Sequence, residues 1–500
     1  MSCLSDGKGL DLFGRSMMRK FSWMLLLLLT VSLWAVEGEK VANHAPVVTN
    51  VVAKQVEKRV EITYDLDDAD GDLMKVELLA SSDGGNNFNL PVKSVEGDIG
   101  EDIYSGKGKT IIWHIAVDIP DFYSTNAVFE VLADDGVDRE LSFISHDIAT
   151  QTPGEVSVSA VDFDGDGDVD VLSSSRGDGR VDWYENNGSQ SFSSHIIALN
   201  GWGNAEDFHA ADIDADWDID VLVALWLSRK IAWYENDGAE NFTEHVISIS
   251  STNSEGTTER AKSVYAVDVN GDGHLEFIAG LDDGSAPSNN NLAWYENDGA
   301  ENFTEHVITT DYDEIGSVYA ADIDGDNDID FLSSAHVSNI VAWYENDGSQ
   351  NFTPHTIASN ASASSHSRAI HAADVNGDGY IDVISPSSIN TISWYQNDGS
   401  GNFTINTFNV SNIPMSVYGK DLDGDRDVDI IAAIFDWPTS TNDKIAWYEN
   451  AGAENFKVHE LRSSTQAPQS IFPVDLDGDG DIDLINGGAS DGKIVWYENQ

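Results

Sequence analysis

The stretch DFDGDGDVD, from Asp162 to Asp170, sets five aspartates at every second position and runs straight into the apolar-to-small segment VLSSS. Like charges packed this closely repel one another unless a positive centre sits among them. The alternation suits a hard divalent cation. Ca²⁺ takes six to eight oxygen ligands at about 2.3–2.6 Å, and a tight loop offers alternate side chains to one point. On this reading Asp162, Asp164, Asp166 and Asp170 contribute carboxylates and Asp168 its main-chain carbonyl. A solvated acidic turn explains one copy equally well, because Asp and Gly are ordinary turn residues.

The frame returns six times. Its odd positions carry Asp212, Asp214, Asp216, Asp218 and Asp220 in DIDADWDID, then Asp268, Asn270, Asp272, His274 and Glu276 in DVNGDGHLE. Asp322, Asp324, Asp326, Asp328 and Asp330 follow in DIDGDNDID, and Asp374, Asn376, Asp378, Tyr380 and Asp382 in DVNGDGYID. The last two copies hold Asp421, Asp423, Asp425, Asp427 and Asp429, and Asp475, Asp477, Asp479, Asp481 and Asp483. Positions one, three, five and nine are always oxygen donors, whereas position seven admits His274 and Tyr380. Tolerance of that kind is expected where only the main-chain carbonyl coordinates. The residue types therefore predict up to seven structural Ca²⁺ sites. An EF-hand loop would need an acid at position twelve and flanking helices, but position twelve is Ser173 or Ala279 and the following residues are β-like.

A second motif keeps step: WYENNG at Trp183, WYENDG at Trp233, Trp294 and Trp343, WYQNDG at Trp394, WYENAG at Trp447 and WYENQ at Trp496. A third follows it, as FSSHII at Phe192 or FTEHVI at Phe242 and Phe303. A period of about 50 residues announces a repeat architecture. Each unit reads as four strands, with the acidic loop between the first two and the NDG turn between the last two. Four-stranded units repeated seven times suit an all-β, seven-bladed β-propeller. A copy of the fourth strand, FISHDI at Phe143, precedes the first acidic loop, while the last unit stops at WYENQ, so the first strand of the array is expected to complete the last blade. Residues 143–500 resemble the FG-GAP/VCBS-type repeat proteins, whose D-x-D-x-D-G-x-x-D loops hold Ca²⁺ between the first two strands of a blade. That resemblance implies Ca²⁺ at these loops. Integrin-like FG and GAP signatures are not evident, so integrin ligand binding does not carry over. Ala215 and Trp217 in the second loop and Arg426 in the sixth replace the usual residues, and those sites are expected to bind more weakly.

Residues 44–136 alternate apolar and polar positions between turn signals and read as an immunoglobulin- or fibronectin-type β-sandwich joined by a short linker over 137–141. The acidic run from Asp65 to Asp72 reads as a hairpin turn, with Ca²⁺ binding as the alternative. Arg15, Arg19 and Lys20 precede an apolar run from Trp23 to Val36, the pattern of a signal peptide over residues 1–38. The chain is accordingly expected to be exported, extracellular or at the cell surface, with no integral membrane segment after cleavage. Its one cysteine, Cys3, falls in that leader, so no disulfide braces the mature chain. A net charge of −61 argues against nucleic acid and anionic membranes as partners.

Strand direction puts the acidic loops and NDG turns on one face and the connections of varied length on the other. GWGNAEDF from Gly201, SISSTNSEGTTERAK from Ser248 and SNASASSHSR from Ser359 lie there, and loops on a rigid scaffold are where binding usually lives. Three residues before each acidic loop stand Ser159, His209, Tyr265, Tyr319, His371, Tyr418 and Phe472, which would ring the central channel. The histidines of the fourth strands, His146, His195, His245, His306, His355 and His459, recur once per unit and read as structural. These observations favour a monomeric recognition or adhesion protein for a glycan or protein ligand. The alternative is a polysaccharide-active enzyme, a lyase or sugar dehydratase, with His209, His371, Tyr265 and Tyr319 in the channel and Glu206 or Arg368 beside them.

Overall fold

The computed structural model describes residues 46–500 apart from 57, 70–72, 82–89, 120–127, 135–140, 151, 153, 155, 200–203, 248, 250–258, 283–289, 313–314, 336–337, 339, 360–369, 388–389, 426 and 453–455. The leader-like segment and most of the expected linker lie outside the described residues. The chain separates into two compact units.

From Phe143 onward the strands form seven antiparallel four-stranded sheets among the described residues. The first sheet, or blade 1, shows the pattern: Val156–Val161, Asp170–Ser175, Arg180–Asn186 and Phe192–Leu199 lie in chain order. The innermost strands of blades 1 to 7 neighbour one another in turn, and the seventh, Pro468–Val474, returns to Val156–Val161. The ring closes through strand exchange. Phe143–Ala149 pairs with Ile494–Asn499, setting Phe143 opposite Asn499 and His146 opposite Trp496. The fourth strand of the seventh sheet is thus supplied from ahead of the first sheet, which ties the two ends of the array together and leaves only short sheet edges.

Burial explains the composition of each strand. Second strands such as Asp170–Ser175, Asp220–Leu225 and Asp330–Ala335 are buried at every position, and a strand covered on both faces reads as a continuous apolar or small run rather than an alternating one. Core clusters straddle successive blades. Leu172 and Trp183 pack with Phe208 and Val223, and at the closure Val158, Val171 and Tyr184 pack with Leu476, Ile485 and Trp496.

The N-terminal strands form a four-stranded sheet (Val47–Val56, Arg59–Asp67, Gly106–Trp113 and Val95–Gly97) and a three-stranded one (Gly100–Ile103, Met74–Ser81 and Val128–Asp134). Ile62 and Tyr64, Met74 and Val76, and Ile111 and Trp113 are buried at period two along their strands. One expectation changes here. The strands flanking the acidic run, Arg59–Asp67 and Met74–Ser81, pair in different sheets, so that run connects two sheets instead of closing a hairpin. Asp65 is committed locally, accepting from Gly108 N at 2.6 Å and Asn50 Nδ2 at 2.9 Å. No helix among the described residues is long and apolar enough to cross a membrane.

Candidate metal centres and the central channel

Position nine of each acidic loop opens the second strand, and Asp170, Asp220, Glu276, Asp330, Asp382, Asp429 and Asp483 are all fully buried. A buried carboxylate survives only with strong partners, and these have them. One oxygen accepts from the amide of position two of the same loop, at 3.1 Å for Phe163 N to Asp170 and 2.9 Å for Ile323 N to Asp330. In six blades the other oxygen accepts from the asparagine amide of the WYEN strand, at 2.7 Å for Asn186 and 2.8 Å for Asn346. Blade 3 departs, because Glu276 Oε1 accepts from Asn270 Nδ2 at 3.1 Å. The position read from sequence as a ligand is therefore also the bolt that fastens loop to third strand. Desolvation still dominates its titration, pushing the carboxyl up to about 6 in Asp170, about 7 in Asp220 and about 8 in Asp330 and Asp429.

The remaining positions build a ladder of short turns. The position-three oxygen accepts from the amide of position five, at 3.1 Å from Asp166 N to Asp164. Position five accepts from position seven, at 2.9 Å from Asp168 N to Asp166 and from Tyr380 N to Asp378. Position one reaches across to position six, as Gly167 N to Asp162 at 3.1 Å. Five loops bring three carboxylates within 4.8 Å of one another: Asp162, Asp164 and Asp166; Asp212, Asp214 and Asp220; Asp322, Asp324 and Asp330; Asp421, Asp423 and Asp425; Asp475, Asp477 and Asp483. The Asn-bearing loops keep an amide oxygen at position three, while Asn376 Nδ2 donates to Asp378 at 2.9 Å. Asp162 Oδ1 is buried without a hydrogen-bond partner. An all-oxygen donor set with an orphaned buried oxygen fits a hard divalent cation.

Position seven points elsewhere. In blades 1, 3 and 5 a Cβ built on the turn glycine would lie 2.4 Å from the Asp168 carboxylate at Gly188, 2.6 Å from His274 at Gly299 and 2.3 Å from Tyr380 at Gly399. The side chain of position seven rests on the NDG turn, and its main chain alone faces the loop. Ala215 adopts φ of 64° where every other loop has glycine, and Trp217 φ of 82° where the others have Gly167, Gly273, Asn327, Gly379 and Gly480; Arg426, the sixth loop's residue at that position, lies outside the described residues.

The sequence reading missed the WYEN asparagine. Besides donating its amide, its side chain crosses blades, as Asn397 Nδ2 to Ile323 O at 2.6 Å and Asn450 Nδ2 to Val375 O at 2.8 Å. The invariance of Asn at that point of all seven WYEN or WYQN copies was the available signal.

On the inner strands the rings form a chain from His209 to Tyr265, Tyr319, His371, Tyr418 and Phe472, with centroids 3.9–5.5 Å apart. His209 Nδ1 accepts from Ala266 N and His371 Nδ1 from Gly419 N of the next blade, both at 3.2 Å. Burial lowers their basicity to about 4 and about 3. Both imidazoles are thus neutral, with the proton on Nε2, and act as seams between blades. Glu206 is buried and bonded to Arg176; Arg368 lies outside the described residues. The fourth-strand histidines stack on the third-strand tryptophans, with centroids 4.3–4.7 Å apart, and bond to the adjacent glutamate, as His355 to Glu345 at 2.7 Å. Much of the varied face (200–203, 250–258, 283–289 and 360–369) lies outside the described residues. Its described part includes Arg260 over Trp226, 4.2 Å from the ring centroid, with Trp226 Nε1 donating to Asp282 at 3.2 Å.

Comparison with known proteins agrees with this architecture. Six overlapping matches to the FG-GAP-like repeat family cover 162–223, 212–279, 268–333, 326–385, 374–432 and 421–486. No curated protein sequence matches the chain. Among solved structures, the chain is similar to that of BBS1N in complex with ARL6DN, soaked with lead, at 12% identity and a TM-score of 0.51, covering 71% of this chain and 96% of that one. It also matches the Dos1 propeller at 12% identity and a TM-score of 0.44, covering 66% and 75%. With the acidic loops inside matches that span well over half its length, the chain belongs to the FG-GAP-like repeat family.

Proposed function

We propose that this is an exported recognition or adhesion protein, a seven-bladed propeller stabilised by Ca²⁺ and preceded by an immunoglobulin- or fibronectin-like module. The observation that carries the reading is the contrast between the two faces of the ring. One face repeats the acidic loop in all seven blades and the turn after WYEN or WYQN in six, while the other carries connections that differ in length and chemistry, as binding surfaces on rigid scaffolds do. The side chains at positions one, three, five and nine and the main chain at position seven would hold the cations. Bound there, a divalent ion supplies the positive charge that lets the buried carboxylates stay ionised at neutral pH. The leader-like residues 1–38 and the absence of any cysteine beyond Cys3 support export to a calcium-rich exterior. A glycan or extracellular protein is the ligand class that a surface of this charge admits.

The catalytic alternative draws on the channel ring, but the inner histidines spend Nδ1 on backbone amides and are held neutral, which leaves neither a ready base nor a ready acid. The test is incubation of the purified protein in Ca²⁺ with a panel of plant and marine polysaccharides, following both retention on the glycan and release of unsaturated or reducing ends. Retention without new ends is expected. New ends would make the channel the site and overturn the proposal.

A further inference from the structure

We propose that the cleft between the first and second acidic loops takes a cationic side chain, the lysine ammonium or arginine guanidinium of a basic segment in a protein partner. The cleft has a volume of about 170 Å³ and lies between blades 1 and 2. Phe163, Trp183 and Phe242 form its aromatic lining, and Asp164, Asp166, Asp218 and Glu240 bring carboxylates to it. It is not the cradle of the first loop's own cation. Neither Asp162 nor Asp170, which open and close that loop, lines it, while half of its lining comes from the neighbouring blade.

Three observations single out this junction. Position two of the acidic loop is aromatic only at Phe163; the other copies have Ile213, Val269, Ile323, Val375, Leu422 and Leu476. Trp217, next to Asp218 in the chain, is 92% exposed, the largest exposure among the large apolar residues described. Its indole is carried at φ 82°, on a backbone that the other loops give to Gly167, Gly273, Asn327, Gly379 and Gly480. A bulky ring held in water at a strained position has no packing explanation, and aromatic side chains of this kind anchor interfaces.

The chemistry of the lining selects the ligand. Carboxylates only accept hydrogen bonds, and the apolar floor made by the buried Phe163 and Trp183 suits the aliphatic stem of a long cationic side chain. The surroundings reinforce the choice of a cation, since the exposed turn residues Asp237, Asp298, Asp347 and Asp398 share this face and the chain carries −61 overall. Once Ca²⁺ holds Asp164 and Asp166, Asp218 and Glu240 remain as charged acceptors, because Asp218 lends the loop only its main chain and its carboxylate rests on Gly238. The inference shares with the proposed function only the cation in loop one, and is independent of the ligand on the varied face.

The experiment measures binding of fluorescently labelled hexalysine, hexa-arginine and Nε-acetylated hexalysine to the Ca²⁺-saturated full chain by anisotropy. The variants are Asp218→Asn with Glu240→Gln, Trp217→Gly, and a charge-matched pair on the same face, Asp328→Asn with Glu301→Gln. The site pair is expected to weaken hexalysine binding about tenfold or more, Trp217→Gly severalfold and the matched pair less than about twofold, with no binding of the acetylated peptide. An equal loss in the matched pair means diffuse attraction to an acidic surface, and equal binding of the acetylated peptide means a neutral site; either result overturns the inference. Calcium-induced thermal stabilisation is recorded for every variant. Loss of peptide binding with that stabilisation intact supports the cleft, whereas loss of both together means the acids act through the metal loop and also overturns it.

Discussion

Gly348 shows how much of this chain is decided by single atoms. It sits at φ 72° in the NDG turn of blade 4, and a Cβ there would lie 2.6 Å from Asp328 Oδ2. Gly325, in the acidic loop of the same blade, has φ 79° but open space around it. Gly325→Ala therefore costs only backbone strain, about 1–2 kcal/mol, and Gly348→Ala costs roughly 0.5–1.5 kcal/mol more, because the Asp328 side chain must leave its rotamer. Denaturant unfolding of the two variants checks the order; equal losses would mean that position seven does not rest on the turn. His371 gives a residue-scale pH prediction. Burial beside Tyr319 and Tyr418, and to a lesser degree the charge of Lys420, lowers its basicity to about 3. Its folded pKa lies below the unfolded value, so its contribution is present above about pH 6.5 and is lost as the unfolded chain gains a proton that the folded chain refuses. Between pH 6 and 4, stability in saturating Ca²⁺ should fall more steeply in the parent than in His371→Gln, by up to about 1.4 kcal/mol per pH unit.

Elements in the ring are joined by side chains that sequence periodicity does not expose. Ser263 Oγ donates to Asp207 at 2.7 Å and accepts from Val318 N of the next blade at 3.2 Å. Ser317 to Ile370 N, Ser416 to Ile471 N and Ser470 to Val158 N repeat the seam at 3.0–3.4 Å. Ser263→Ala would leave a buried amide and a carboxylate oxygen short of a partner, for a loss of about 1–3 kcal/mol, measurable as a lower denaturation midpoint with an unchanged slope. The strands, the loops and the completed last blade were legible in the sequence because each is a local pattern repeated seven times. The S-V-Y-A strands were legible too, but only as apolar alternation. That their serines and histidines are hinge pins between blades depends on residues some 50 positions apart meeting edge to edge. The same holds for the position-nine carboxylate, whose second oxygen belongs to an asparagine sixteen residues on in blade 1, and for the cleft, which no single repeat contains. The acidic run after Asp65 misled because turn chemistry alone does not say whether the next strand stays in the same sheet.

For the whole molecule the governing fact is charge held in a closed ring. With 87 acidic and 26 basic residues, self-repulsion opposes compaction, and it is concentrated where seven loops face the same way. Twenty-six of those acids stand at the side-chain positions one, three, five and nine, the other two such positions being Asn270 and Asn376. Removing divalent cations is therefore expected to weaken every blade at once. An ion that binds the folded chain alone contributes about 2.7 kcal/mol when present at a hundred times its dissociation constant, and several such sites exceed the stability of an ordinary domain. Thermal unfolding in excess Ca²⁺ and in chelator should thus differ by well over ten degrees. Raising NaCl in the chelated sample should recover part of the difference, because salt screens exposed carboxylates such as those at position five far better than the buried ones at position nine. A midpoint indifferent to chelator would remove the structural role of the loops. Recovery of the whole difference by salt would leave them as an acidic surface that any cation calms, with no need for coordination by the oxygens of Asp162 or its six counterparts.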